Sequence, residues 1–167
     1  MRVKYIIIGL TFILLLTSCQ LNYRNNNIEE VSYVSELFQN KNEYVGDVSA
    51  NGKILELLKI RETLGDYTIE LKTDEVPYSI KLNFIEPVSN KEYFEKEFRG
   101  KAYLILALID NVDEVQCIYS DTENTDGKVT EITVTRQQAT DALGRDIKSY
   151  SQSETDIEEL LGQLNSL

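Results

Sequence analysis

Two short stretches, Tyr67-Thr-Ile-Glu-Leu-Lys72 and Tyr78-Ser-Ile-Lys-Leu-Asn-Phe84, decide the fold. In each, apolar residues alternate strictly with polar ones, the period of a strand with one buried face. The link Thr73-Asp-Glu-Val-Pro77 is short enough to make them a hairpin, with Pro77 placed where no ladder donor is required. A second pair follows: Val115, Cys117 and Tyr119 point one way in its first strand, and Thr130, Ile132 and Val134 in its second. The connection Asp121–Gly127 between them ends in Asp-Gly, a strong hairpin dipeptide.

Helical periods surround the hairpins. Val31, Val34, Leu37 and Phe38 recur at helical spacing, and Asp47 or Ser49 can cap a second helix carrying Ile54, Leu55, Leu57 and Leu58, its first turn weakened by Asn51-Gly52. From Ser89 or Asn90 to Ile109 a long helix carries Phe94, Phe98, Ala102, Ile105 and Ile109 on one stripe, widened by Leu104 and Leu108. Gly100 is a candidate break in it. Thr135 caps a helix ended by Gly144, and Ser153-Glu-Thr-Asp156 resembles a capping box ahead of Ile157, Leu160, Leu161 and Leu164. The expected fold is α+β, a four-stranded antiparallel sheet with helices packed on one face. The other face then holds Glu70, Lys72, Lys81 and Asn83, with Thr68, Ser79, Glu114, Gln116, Glu131 and Thr133, and is open to a partner.

The N-terminus carries an address. Arg2 and Lys4 precede an apolar run from Tyr5 to Leu16, too short for a hydrocarbon core that takes about 20 residues, and the run closes in Leu16-Thr17-Ser18-Cys19. Residues 1–18 read as a cleaved signal peptide that resembles the bacterial lipoprotein signal, with Cys19 the lipidated first residue. Residues 19–28, rich in asparagine, read as a tether, and 29–167 as a single α+β domain. The expected location is the extracytoplasmic side of the cell membrane, held there by the lipid on Cys19.

Composition narrows the chemistry. Cleavage removes Arg2 and Lys4 and no acid, leaving 15 basic against 28 acidic residues and a formal charge of −13. Such a surface repels phosphates, so nucleic acid and anionic headgroups are poor partners. The chain has no histidine, which excludes histidine-based triads, histidine-assisted cysteine catalysis and the usual zinc ligand sets. Cys117, on the inward side of its strand, reads as a core thiol. Asp121, Glu123 and Asp126 suggest calcium, but counted from Asp121 the EF-hand positions for Gly and Glu hold Asp126 and Ile132. No cofactor or metal is expected, and no catalytic residue is assigned.

Several segments in order resemble one family: Tyr44-Val-Gly46-Asp47 before a helix, Val76-Pro-Tyr78 in a hairpin, Ala102 to Asn111 with its Leu-Ile-Asp-Asn ending, and Thr135-Arg136 leading to Leu143-Gly-Arg-Asp146. Together they resemble the uncharacterised domain of unknown function numbered 4825, found in Gram-positive lipoproteins, over about residues 35 to 150. The chain departs from it at Lys101 and Ile60. The resemblance implies a Gram-positive host and an envelope location, makes Tyr44, Gly46 and Asp47 a family-motif loop, and implies no activity. The leading expectation is a lipid-anchored binding or regulatory module that recognises an envelope or membrane protein. The alternative is a small hydrolase of envelope glycan, which needs two carboxylates flanking a pocket.

Overall fold

A computed structural model describes residues 33–122 and 128–166. The signal peptide, Cys19, the tether and positions 123–127 of the second hairpin lie outside the described residues. The chain divides into two compact units, Met1–Ser35 and Glu36–Leu167. Of the first, only 33–35 are described, and they are helical. The second unit holds the sheet and all the named elements.

That unit opens with a helical stretch to residue 39, then α1 (Val48–Leu57) and α2 (Ile60–Leu64). Asp47 caps α1, its carboxylate accepting from the Ala50 amide, and Ile54, Leu55 and Leu58 are buried as their spacing predicts. The turn does not run straight on into α2. Lys59 takes a left-handed conformation (φ 52°) between the two helices and re-aims the chain, so that Ile60 is fully buried at the start of α2.

Four strands follow the alternation closely: β1 (Tyr67–Lys72), β2 (Ser79–Phe84), β3 (Glu114–Ser120) and β4 (Val129–Thr135), in spatial order β1-β2-β3-β4. Both hairpins form, and the Val76–Pro77 peptide in the first is cis. The sheet is mixed, however, because β2 and β3 pair in parallel (Ile80 beside Val115, Leu82 beside Cys117). The cause is the long helix between them, α3 (Lys91–Leu108). At 1.5 Å per residue its 18 residues run about 27 Å, enough to carry the chain back past a six-residue strand of about 20 Å. A strand that starts again at the same end of the sheet must lie parallel.

α3 is the centre of the core. Asn90 caps it, accepting from the Tyr93 amide, and Gly100 passes without a break. Its first half buries only the stripe Phe94 and Phe98; from Ala102 to Leu108 every residue is buried, since the sheet lies on one side and the C-terminal elements on the other. Those elements are α4 (Arg136–Leu143), a 3-10 turn (Ile147–Ser151) and α5 (Glu154–Leu164). Thr135 and Gln138 form a capping box on α4, Gly144 ends it at φ 72°, and Ser153 caps α5 by accepting from the Asp156 amide. Lys148, in the 3-10 turn, aims its ammonium at the end of α3 and donates to the carbonyls of Leu106, Ile109 (2.6 Å) and Val112 (2.7 Å). The Leu106 and Val112 carbonyls are orphan acceptors at a helix C-terminus and in the loop after it, and Ile109 is otherwise met only by the Val112 amide at 3.3 Å, so one half-buried cation serves all three. Among the described residues no helix is long and apolar enough to cross a membrane.

Candidate functional site

The helices cover the face formed by Ile69, Leu82, Cys117 and Ile132 in one row and by Leu71, Ile80, Val115 and Val134 in the next. Among the described residues no helix covers the opposite face. Across it the register sets Glu70, Lys81, Gln116 and Thr133 in one row, Thr68, Asn83, Ile118 and Glu131 in the row beside it, and Lys72, Ser79, Glu114 and Thr135 in a third. Glu70, Lys72, Lys81 and Asn83 therefore share one surface, as the alternation predicts.

Several of these side chains hold one another in place. Asn83 Nδ2 donates to Glu70 Oε1 at 2.9 Å, Gln116 Nε2 to Glu114 Oε2 at 3.1 Å, and Lys81 lies 4.0 Å from Glu131. Lys72 turns back to Glu75 at 3.2 Å. Exposed pairs of this kind are worth under about 1 kcal/mol each, so they order the surface more than they stabilise the fold.

The face is not wholly polar. Ile118 stands half-buried among the polar rows, and at the end of the sheet beside it Ile85 and Val129 are each 59% exposed. Ile85 is still in register, its amide donating to Asp66 O, and therefore points to the same side as Asn83; Val129 pairs with Ser120, two residues from Ile118. The open face is thus a charged ladder that grades into an aliphatic patch. Ile118 is the even-numbered residue between inward Cys117 and Tyr119, so the alternation already assigns it to this side. Ile85 and Val129 sit at strand ends, where alternation does not distinguish one face from the other.

The Tyr44–Asp47 loop is built quite differently. Asn42 donates through Nδ2 to the Tyr44 carbonyl (2.7 Å) and to Asn51 Oδ1 (2.8 Å), and the Tyr44 amide donates back to Asn42 Oδ1. Asn51, 1% exposed, donates to the Val45 carbonyl, and Asn111 accepts from the Val45 amide at 2.7 Å. The main chain of Asn42 brackets the end of α3, donating to Leu108 O and accepting from the Asp110 amide. Three asparagines thus lock the loop to the end of the central helix, and Asn51, read from sequence as a weakness of α1, is the centre of the lock. The loop buries Val45 and leaves Tyr44 63% exposed.

Cys117 is fully buried, and burial pushes its thiol up to about 12, so it is no nucleophile at neutral pH. Tyr119 beside it is also raised, first by burial and then by donating to Glu95 Oε1 at 2.5 Å. Its ring ends a chain of contacts from Tyr67 through Phe84 and Phe94, with centroids 5.7, 4.8 and 4.6 Å apart, and these aromatics are core.

A cleft of about 230 Å³ opens between α1, α2 and β1, lined by Leu55, Ile60, Tyr67 and Ile69, with Glu56 and Glu62 as its carboxylates. A glycosidase acid needs a carboxyl held protonated. Among the described residues, the carboxyls with a shifted acidity, Asp146 and Asp156, are instead held low, by Arg136 and Arg145 respectively, and lie in ion pairs of 2.9 and 2.5 Å away from this cleft. Among the described residues no three metal-ligating side chains gather.

The fold and surface define a small α+β domain with an open mixed sheet. Residues 37–135 match the family model described as Domain of unknown function (DUF4825), more than half of the chain, and the protein belongs to that family. No curated protein and no solved structure matches it. The matched span stops before Leu143-Gly-Arg-Asp146, a segment whose side chains tie the C-terminal elements together: Asp146 pairs with Arg136, and Arg145 binds Asp156 and Glu159 and stacks on Tyr150.

Proposed function

We propose that this protein is a binding module, anchored by lipid on Cys19 to the outer side of the cell membrane of a Gram-positive host, that recognises an envelope or membrane protein through its open sheet face. The observation that carries the reading is the juxtaposition on that face of the aliphatic patch Ile85, Ile118 and Val129 with the ordered ladder Glu70, Lys81 and Glu131. An apolar centre bordered by polar groups already held in place is what a protein interface uses, because little side-chain entropy remains to be lost on contact. The Leu16-Thr17-Ser18-Cys19 motif supports the location, and the chain's formal charge of −11 argues against nucleic acid. Signal peptide 1–18, tether 19–28 and a single domain from 29 onward complete the proposed organisation.

The test is recovery of neighbours from membranes by in situ cross-linking, comparing the wild type with Lys81→Glu combined with Ile118→Lys. Loss of specific neighbours with an unchanged melting transition supports the face. An unaltered set of neighbours removes it and moves attention to the Tyr44–Asp47 loop.

A further inference from the structure

β1 is an edge strand, and its outer edge is only partly closed. The Ile85 amide donates to Asp66 O, so Asp66, Thr68, Glu70 and Lys72 form the pairs bonded to β2, and the backbone groups of Tyr67, Ile69 and Leu71 point outward. Arg61 Nη2 donates to the Tyr67 carbonyl at 3.3 Å, with its guanidinium over the Tyr67 ring. Among the described residues no hydrogen bond reaches the outward groups of Ile69 and Leu71, and β2 is the one element that packs extensively along this strand. Ile69 is 39% exposed, although it points to the helix-covered side.

A charged side chain is one device by which edge strands block pairing. β1 carries two of opposite sign at i and i+2, Glu70 and Lys72, and that spacing selects a register. A twofold axis through Ile69 would need the carbonyl that Arg61 occupies. An axis through Glu70 would set two like carboxylates face to face. An axis through Leu71 uses only the free groups: Leu71 pairs with the partner's Leu71, Ile69 with the partner's Thr73, and each Glu70 falls opposite the partner's Lys72. β4, the other edge, carries the single charge Glu131 along its length and has no such self-complementarity.

We propose that β1 pairs antiparallel with β1 of a second copy about a twofold at Leu71, joining two four-stranded sheets into one of eight strands. The occupant is a second copy because the charge pattern of β1 complements itself, and the closed symmetry pairs each edge once, so the contact does not propagate. The inference concerns the strand edge and stands whether or not the open face binds another protein.

The experiment is oxidative cross-linking of the full chain in membranes. Leu71→Cys should give a disulfide dimer, since paired Cα atoms lie about 5.5 Å apart in such a register, within disulfide range. Thr68→Cys should not, because the register sets it opposite the partner's Asp74. Added to Leu71→Cys, Glu70→Lys or Lys72→Glu alone should lower the yield about tenfold, and both together should restore it, as the charge pair is re-formed in reverse. Co-purification of two differently tagged copies that keep Leu71, with the same charge variants, gives an independent readout. Absence of a Leu71→Cys dimer, equal yields from Thr68→Cys, or a double charge reversal no better than the single ones overturns the proposal.

Discussion

The Lys148 ammonium donates to the Ile109 carbonyl at 2.6 Å, tying the C-terminal segment, which lies beyond the family match, to the end of the central helix. The same nitrogen serves Leu106 and Val112, so one side chain satisfies three acceptors. Lys148→Met leaves the Leu106 and Val112 carbonyls buried without a donor, while Ile109 keeps only the Val112 amide at 3.3 Å, and should cost about 3 kcal/mol or more in urea unfolding. A loss under about 1 kcal/mol would show that water replaces the ammonium.

Lys148 also carries a pH signature. Burial pulls it down from 10.5 to about 8, helped by Arg136 and opposed by Asp110, Asp113 and Asp146. Between about pH 8 and 10.5 the unfolded chain therefore holds a proton that the folded chain has released, and linkage makes stability from this group rise with pH. The wild-type stability minus that of Lys148→Met should climb across this window, the difference cancelling the tyrosines and Cys117. A flat or falling difference contradicts the depressed value.

The asparagine lock can be opened at a single residue. Asn51→Ala removes the donor to Val45 O and the acceptor for Asn42, and should cost about 2 kcal/mol while speeding hydrogen exchange at the Val45 and Asp47 amides. Exchange unchanged at both amides would mean the loop is held by Asn111 alone.

Cys117 should be silent in the folded protein. It is fully buried with its thiol raised to about 12, so a thiol reagent at about pH 8 should label it only after denaturant is added. Fast stoichiometric labelling of native protein would refute the strand register.

The alternation of Ile69, Leu71, Ile80 and Leu82, and of Val115, Cys117, Ile132 and Val134, made both hairpins and the buried side of the sheet legible in the sequence. Strand direction was not, because β2 and β3 bury one face only and so lack the continuous apolar run that marks most parallel strands. The length of α3 held the missing clue. Asn42, Asn51, Asn111 and Lys148 were illegible for a different reason: a polar residue signals its own cost in the chain, whereas the partner that offsets it is set by tertiary contact. Glu70, Lys72, Lys81 and Asn83 fall on one face because register alone decides which residues share it, while the aliphatic patch at strand ends needed the structure.

Recognition by the open sheet face is tested by Lys81→Glu with Ile118→Lys, which alters no residue of β1 or of the core, although Lys81 stands opposite Glu70 of β1. Both side chains lie on the uncovered side of the two central strands, with Lys81 4.0 Å from its carboxylate partner Glu131, so the melting transition should move little. The deciding measurement is the set of proteins cross-linked to the membrane-anchored chain in living cells. If the face binds, the specific neighbours of the wild type disappear in the double variant while its abundance and melting hold; the same neighbours at the same yield would contradict recognition by this face.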